Sequence, residues 1–133
     1  MSIKDSEELI SKLRDPETGC PWDIEQTHAS LAKYLLEESN EVIEAIEELN
    51  VSKTYDDLKE ELGDVLLQVL LHSQLASEKG KFNISDVIDT LNEKLVRRHP
   101  HVFGNSDAST VEEVEAQWQK IKEQEQNVKN QND

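Results

Sequence analysis

Residues 35–49 read LLEESNEVIEAIEEL, and residues 65–76 read VLLQVLLHSQLA. In the first stretch the apolar residues recur three and four positions apart, which predicts an amphipathic helix. The second stretch is apolar almost all round, which predicts a helix buried on both sides, either centrally in the domain or across a subunit interface. These two long predicted helices indicate an all-α fold.

The length and composition of the chain agree with one helical domain. The chain has 133 residues, enough for one compact domain with a modest core. Four Gly and three Pro leave little material for turns, while Leu, Glu, Lys and Gln are plentiful. We therefore predict a single domain over residues 1–126, followed by a disordered polar tail over 127–133.

Turn residues and capping patterns mark the ends of the predicted helices. Gly80 is placed to end one helix, and Asn83 or Ser85 to begin the next. Pro100 stops that helix, and Ser109 or Thr110 opens the last one with a Glu three positions later. The predicted helices cover residues 5–14, 27–49, 55–79, 84–98 and about 110–125, with a loop over 14–23 and another after Pro100.

The charge of the chain limits its partners. Twenty-nine acidic against fourteen basic residues give a net charge of −15, which argues against binding of nucleic acid or of anionic membranes. The sequence has neither the apolar run of a membrane span nor the apolar core of a signal peptide, and Cys20 is its single cysteine, so we expect a cytoplasmic protein. If it handles a phosphate compound, a divalent cation is expected to mediate.

One glutamate of the 27–49 helix points towards the core. On a helical wheel Glu38 lies near the centre of the apolar face, and Glu41 lies one turn away at its edge. A buried carboxylate without a partner costs several kcal/mol or is forced into its neutral form. The apolar face itself comprises Leu31, Tyr34, Leu35, Val42, Ala45, Ile46 and Leu49. Glu44, Glu47 and Glu48 are interpreted as solvated charge.

A second inward pair of carboxylates, Glu61 and Asp64, lies on the 55–79 helix. The link between the two helices is short, so antiparallel packing can bring both pairs together. Four close carboxylates repel one another unless a hard cation such as Mg²⁺ or Mn²⁺ binds between them. Zinc fits less well because the pairs include neither Cys nor His. Gly63 between them suggests a close backbone approach at this point.

Several basic, aromatic and histidine residues outside the carboxylate pairs are further candidates, and some of them have two interpretations. Lys94 and Arg98, at the apolar face of the 84–98 helix, either pair with the carboxylates or receive phosphates. Trp118 belongs by pattern to the core stripe of the last helix. Trp22 is either a stacking platform for a base or an anchor of its loop. His99 and His101 are interpreted as loop-packing or capping groups.

Five segments together resemble the MazG family of nucleoside triphosphate pyrophosphohydrolases. The acidic patterns EExxE (Glu37, Glu38, Glu41) and ExxD (Glu61, Asp64) occur in order between the flanking CPWD and RRHPHVF boxes. The resemblance extends from about residue 14 to 122. The segments are GCPWDIEQTHASL, LLEESNEVIEAI, EELGDVLLQVLLHSQLASEKGKF, NEKLVRRHPHVFG and VEEVEAQWQKIK.

The resemblance implies an all-α helical bundle that is completed by oligomerisation into a homodimer or homotetramer. It implies Mg²⁺-dependent cleavage of NTPs or dNTPs between the α and β phosphates, giving a nucleoside monophosphate and pyrophosphate. It makes Glu38, Glu41, Glu61 and Asp64 the metal ligands, with Glu37 at most orienting a ligand or a water. Contacts to the triphosphate would come from Lys59, Lys94 and Arg98, and contacts to the nucleotide from Asn92 and Trp118.

The mechanism predicted on this basis is in-line attack of a metal-activated water on phosphorus. Glu38 is the first choice for the base that takes the proton, and Glu41 the second. One alternative is a house-cleaning enzyme specialised for dUTP or damaged dNTPs, which differs only in its base pocket. Another is a non-enzymatic acidic helical interaction protein whose carboxylates hold a structural cation.

Overall fold

The computed structural model describes residues 1–132, with the side chain of Asn132 excepted. The described residues form seven α-helices and no strand, so the all-α prediction is confirmed. The helices are α1 (Ile3–Leu13), α2 (Pro21–Glu25), α3 (His28–Ser52), α4 (Asp56–Glu78), α5 (Ile84–Arg98), α6 (Pro100–Phe103) and α7 (Val111–Asn132). The chain divides into two compact units, residues 1–87 and 88–133, and each is described by itself.

The helix starts follow from local capping chemistry. Thr27 caps α3 in a capping box with Ser30. At the start of α5, Asn83 and Asp86 exchange backbone-to-side-chain hydrogen bonds of 2.9 and 3.0 Å, so Asn83 rather than Ser85 is the capping residue. Gly80, which follows the end of α4, has a φ of 67°, the left-handed conformation that glycine adopts most easily.

Two short helices occupy segments that the sequence predicts as loops. Both α2 and α6 have Pro near their first position, where the missing N–H of proline removes no helical hydrogen bond. Each has only five or four residues, too few for hydrophobic periodicity to reveal. The sequence therefore predicts loops at these two prolines, where the structure has the starts of short helices.

The last helix is longer than the sequence predicts. α7 continues to Asn132, whereas the sequence predicts an end at about 125 and a disordered tail over 127–133. Its final turns contain Gln, Asn, Lys and Val without Gly or Pro, so nothing in their composition forces a break. Asp133 lies outside the described residues.

The core of the first unit lies where α3 and α1 pack against α4. Leu31 of α3 and Leu71 of α4 are its most completely buried large side chains, with 0% and 1% exposure. The large apolar residues of α3 and α4 that stay exposed in this chain are Leu35, Leu36, Ile43, Ile46, Val51, Leu62, Leu66 and Val69. Each of the two helices thus buries one apolar face and leaves another uncovered.

Arg14, at the end of α1, joins three parts of the first unit. Its guanidinium contacts Glu78 of α4 through two hydrogen bonds of 2.8 and 2.9 Å. It also donates to backbone carbonyls of the α2 region, those of Asp23 and Gln26 among them. The side chain is only 9% exposed, so this contact fixes the 14–26 segment on the end of α4.

Among the residues described, none of the helices combines the length and the apolar composition that crossing a membrane requires.

Candidate metal centre

Four carboxylates meet between α3 and α4. A link of three residues, 53–55, joins the two helices, so they pack side by side in opposite directions. Glu38 and Glu41 project from α3, and Glu61 and Asp64 from α4. Each offers one carboxylate oxygen, and the four oxygens lie within 4.8 Å of one another.

Two of these carboxylates each hold a buried oxygen that lacks a hydrogen-bond partner. They are Oε2 of Glu38 and Oε2 of Glu61, and no described residue donates to either. Leaving a carboxylate oxygen buried and unpaired is costly, so unpaired oxygens point to a partner from outside the chain. A cation is the partner that their charge calls for.

The electrostatics of the cluster agree with this interpretation. Burial, followed by hydrogen bonding with Glu41 and the charges of Glu41 and Asp64, raises the pKa of Glu38 above its ordinary value. Hydrogen bonding with Glu41, followed by burial and the charges of Glu41 and Asp64, raises the pKa of Glu61 to about 7. Without a cation the cluster therefore retains protons that isolated carboxyls would lose.

The donor set suits a hard divalent metal ion. All four ligand groups are carboxylates, which Mg²⁺, Mn²⁺ and Ca²⁺ prefer, and none is a thiolate or imidazole. The cluster could thus hold a metal ion, and its geometry leaves the identity of that ion open.

An acidic cleft of about 390 Å³ opens beside the cluster. It is lined by Glu41, Glu44, Ala45, Glu48, Asp57 and Glu61. Glu44 and Glu48 are exposed, in agreement with solvated charge, but they face the same cleft as two members of the cluster. A bare polyphosphate would be repelled here, so any phosphate compound needs a cation in order to approach.

The remaining candidates of the first unit lie around these helices. Glu37 is exposed on α3, and its charge is the last of the causes that raise the pKa of Glu38. Lys59 is exposed on α4, two positions before Glu61. Trp22 packs edge-to-face on Tyr34 with ring centroids 5.5 Å apart, yet stays 46% exposed. Trp22 is therefore anchored in α2 and still presents part of its ring.

The other candidates belong to the second unit, and they take different roles within it. Arg98 pairs with Glu125, with Nη2 and Oε2 2.9 Å apart. Asn92 is exposed and Lys94 is half-buried. Trp118 packs edge-to-face against His99 at 5.3 Å, and its buried Nε1 has no partner among the described residues.

The two histidines flanking Pro100 are packing groups, as the sequence predicts. His99 Nδ1 bonds to the carbonyl of Leu95, and His101 Nδ1 lies 3.0 Å from Nε2 of Gln117. The ring of His99 also contacts Trp118. Neither ring has its Nδ1 free for a ligand.

The structure corrects one expectation and adds two features. No described atom lies within 4 Å of the position that a Cβ at Gly63 would take, so the close backbone approach expected there is absent from the described chain.

Gln68 is 4% exposed with an unpaired Oε1. His28 and His72 lie with their Nδ1 atoms 2.7 Å apart. The last contact spans 44 positions, and no pattern along one helix could reveal it.

A larger groove, of about 740 Å³, lies in the second unit. It is lined by Arg97, Pro100, Ile121, Gln124, Glu125, Val128 and Lys129. Its single carboxylate, Glu125, is already paired with Arg97 and Arg98. The chemistry therefore favours the smaller acidic site over this groove.

Comparisons of this chain with known protein families and sequences find the same family. The profile of the MazG nucleotide pyrophosphohydrolase domain matches residues 26–103. A Thermotoga maritima protein named nucleoside triphosphate pyrophosphohydrolase/pyrophosphatase MazG is 58% identical over 92% of this chain and 46% of its own length. The Escherichia coli K12 nucleoside triphosphate pyrophosphohydrolase is 49% identical over 88% of this chain and 43% of its own.

A solved structure extends the likeness to three dimensions. The crystal structure of a mazG-related protein from Thermotoga maritima superposes with a TM-score of 0.69 at 28% identity, covering 90% of this chain and 98% of that one. The chain spans less than half the length of the two sequence relatives described above.

Proposed function

Because the chain belongs to the MazG nucleotide pyrophosphohydrolase domain family, we propose that it hydrolyses nucleoside triphosphates to a nucleoside monophosphate and pyrophosphate. The observation that carries the proposal is the cluster of Glu38, Glu41, Glu61 and Asp64, whose oxygens lie within 4.8 Å of one another. Family membership supplies the reaction, and the cluster supplies a place for the cation that the reaction needs.

We assign the four carboxylates as ligands of Mg²⁺, with Mn²⁺ as a substitute. A bound Mg²⁺ would neutralise phosphate charge and activate the water that attacks. The chain's own contribution is to hold the ligands on two packed helices and to accept one proton from water. Glu38 is the first choice for that base and Glu41 the second, because both border the cluster and the raised pKa of Glu38 brings its titration nearer to neutral pH.

Substrate contacts are proposed from the resemblance for Lys59, Lys94 and Arg98 on the triphosphate. Asn92, Trp118 and Trp22 are proposed for the nucleoside. Two observations support members of this set. Trp118 offers a buried indole N–H without an acceptor among the described residues, and part of the Trp22 ring is exposed for stacking.

We also propose that the chain works as a homodimer or homotetramer in the cytoplasm. The uncovered apolar faces of α3 and α4 support the assembly, because a second copy of the same helix pair would bury them in a four-helix bundle. Light scattering and analytical ultracentrifugation of the purified chain test it, and a monomer at all concentrations would refute it.

The activity is tested by incubating the chain with a panel of NTPs, dNTPs and modified dNTPs plus Mg²⁺. Monophosphate with pyrophosphate is expected, whereas diphosphate with phosphate would contradict the bond assignment. Turnover of Glu38→Gln and Glu61→Gln should fall at least about 100-fold. The matched control is Glu47→Gln, an exposed carboxylate of α3 outside the cluster and the cleft; it should keep full activity.

The same panel separates the alternatives. Cleavage of only dUTP or of damaged dNTPs would indicate a specialised house-cleaning enzyme. Absence of pyrophosphate release with every nucleotide would favour an acidic interaction protein that holds a structural cation.

A further inference from the structure

Two histidines from different helices of the first unit point their ring nitrogens at each other. His28 is the first residue of α3, and His72 lies in the second half of α4. Their Nδ1 atoms are 2.7 Å apart. Neither residue is a member of the carboxylate cluster or of the cleft beside it.

The ring geometry shows how the two side chains meet. The ring planes are within 5° of parallel, and the centroids lie 4.9 Å apart. Since the nitrogen-to-nitrogen distance of 2.7 Å is so much shorter, the rings meet edge to edge with Nδ1 facing Nδ1. One ring must donate its N–H and the other must accept with its lone pair, because two N–H groups cannot face each other at this distance.

This arrangement is close to the one in which two imidazoles bind a single metal ion. Metal–nitrogen bonds of about 2.0–2.1 Å hold two tetrahedral ligand nitrogens about 3.3 Å apart, so the pair must open by about 0.6 Å and each ring must turn until its Nδ1 lone pair points at the ion. His28 is exposed, and its side chain can make that adjustment without disturbing the core.

The surroundings favour a cation in place of a proton. The chain carries a net charge of −15, which raises the local concentration of cations at its surface. Burial and the neighbouring His28 lower the pKa of His72, so this ring is neutral at neutral pH, the form in which histidine binds metals.

We propose that His28 and His72 form a binding site for one divalent transition-metal ion of the imidazole-preferring class, Zn²⁺, Ni²⁺ or Cu²⁺, separate from the carboxylate cluster. Water completes the coordination. When both rings are neutral, the donating ring shifts its proton from Nδ1 to Nε2 and no proton is released. When the pair shares an extra proton, one proton leaves as the metal ion binds.

The site is tested with Cu²⁺ in the presence of excess Mg²⁺, which occupies hard carboxylate ligands. Electron paramagnetic resonance of the full chain at neutral pH should show one copper ion with two nitrogen ligands. In isothermal titration the affinity for Cu²⁺ should fall at least tenfold in His28→Ala and in His72→Ala. His101→Ala, which removes an imidazole bonded to Gln117 in the second unit, should leave the affinity unchanged.

Two further measurements separate this site from others. The double variant Glu38→Gln/Asp64→Asn should retain the two-nitrogen signal even though it removes half of the carboxylate cluster, so failure of the proposed function does not affect this result. His28→Ala replaces an exposed side chain, and circular dichroism checks that the variant is folded. Two results would contradict the proposal. One is that copper binds folded His28→Ala as tightly as it binds the unmodified chain, and the other is that copper bound to the unmodified chain lacks two nitrogen ligands. Either result would mean that His28 and His72 form only a hydrogen bond.

Discussion

Glu61 of α4 and Glu41 of α3 place carboxylate oxygens within 4.8 Å of each other, and the interaction with Glu41 is the first cause that raises the pKa of Glu61 to about 7. Two carboxyl groups this close repel each other when both are ionised, so one of them tends to keep its proton. The proton that Glu41 and Glu61 keep between them thus occupies the position where a metal ion is proposed to bind. Metal binding and proton release are coupled at this pair.

Binding of Mg²⁺ should therefore release protons near neutral pH. At pH 6.5, below the pKa of about 7 for Glu61, the proton on this group must leave when Mg²⁺ binds, and the affinity should rise with pH until it levels off above about 7. Isothermal titration in buffers of different ionisation enthalpy measures the number of protons released. Release of none at pH 6.5 would contradict the proposed ligand role of Glu61.

The same group should make the stability of the metal-free chain depend on pH. Its pKa rises from 4.5 in the unfolded chain to about 7 in the folded one, so the folded state holds more protons between these values. Stability from this group is complete below about 4.5 and is lost as the pH rises through about 7. Thermal unfolding should show this loss without Mg²⁺ and a rise in Tm with Mg²⁺ that is larger at pH 8 than at pH 5.

The clustering of the four carboxylates could be predicted because its causes are local. Helical periodicity places Glu38 among apolar neighbours, and the short link after α3 forces α4 to return beside it. The contacts that could not be predicted join residues far apart in sequence: His28 with His72 over 44 positions and Arg98 with Glu125 over 27. A helical wheel shows which face a residue occupies and does not show which distant residue it meets.

Gly63 shows that a local sequence feature can also predict a contact that the described chain does not make. Its place between Glu61 and Asp64 predicts a close backbone approach, yet a Cβ there would meet no described atom within 4 Å. Composition alone cannot distinguish a glycine that makes room for a neighbour within the chain from one at an open surface.

Gly63→Ala is expected to stabilise the monomeric chain by about 0.5–1 kcal/mol, because alanine is the better helix former. Urea unfolding at a protein concentration low enough to keep the chain monomeric measures the change. A loss of stability that appears only at high concentration would place a second copy against this turn of α4. A loss at low concentration would contradict the open space around Gly63.

Glu125→Gln should weaken the second unit and free Arg98. Hydrogen bonds from Arg98 and then from Arg97 lower the pKa of Glu125 from 4.5 to about 2. Its contribution to stability is present above about 4.5 and is lost as the pH falls through about 2. The variant should therefore be less stable than the unmodified chain at pH 7, and the difference should shrink between pH 4.5 and 2.

Unfolding curves across this pH range make the comparison. Glu123→Gln is the control, since Glu123 accepts only a 3.2 Å hydrogen bond from Gln119 among the described contacts. A difference between Glu125→Gln and the unmodified chain that stays constant down to pH 2 would contradict the ionic nature of the Glu125 contacts.

Arg14→Lys should destabilise the first unit although it keeps the charge. The guanidinium forms two hydrogen bonds with Glu78 and others with backbone carbonyls of residues 23–26, a set that one ammonium group cannot reproduce. Because the side chain is only 9% exposed, the unpaired carbonyls would remain poorly hydrated, and we expect the free energy of unfolding to fall by about 1–3 kcal/mol.

The control is Arg97→Lys, since the Arg97 side chain is 52% exposed and contacts Glu125 through one 2.8 Å hydrogen bond. That change should cost less than about 1 kcal/mol. Urea unfolding of both variants at pH 7 gives the two free energies, and equal losses would show that Arg14 contributes no more than an ordinary surface ion pair.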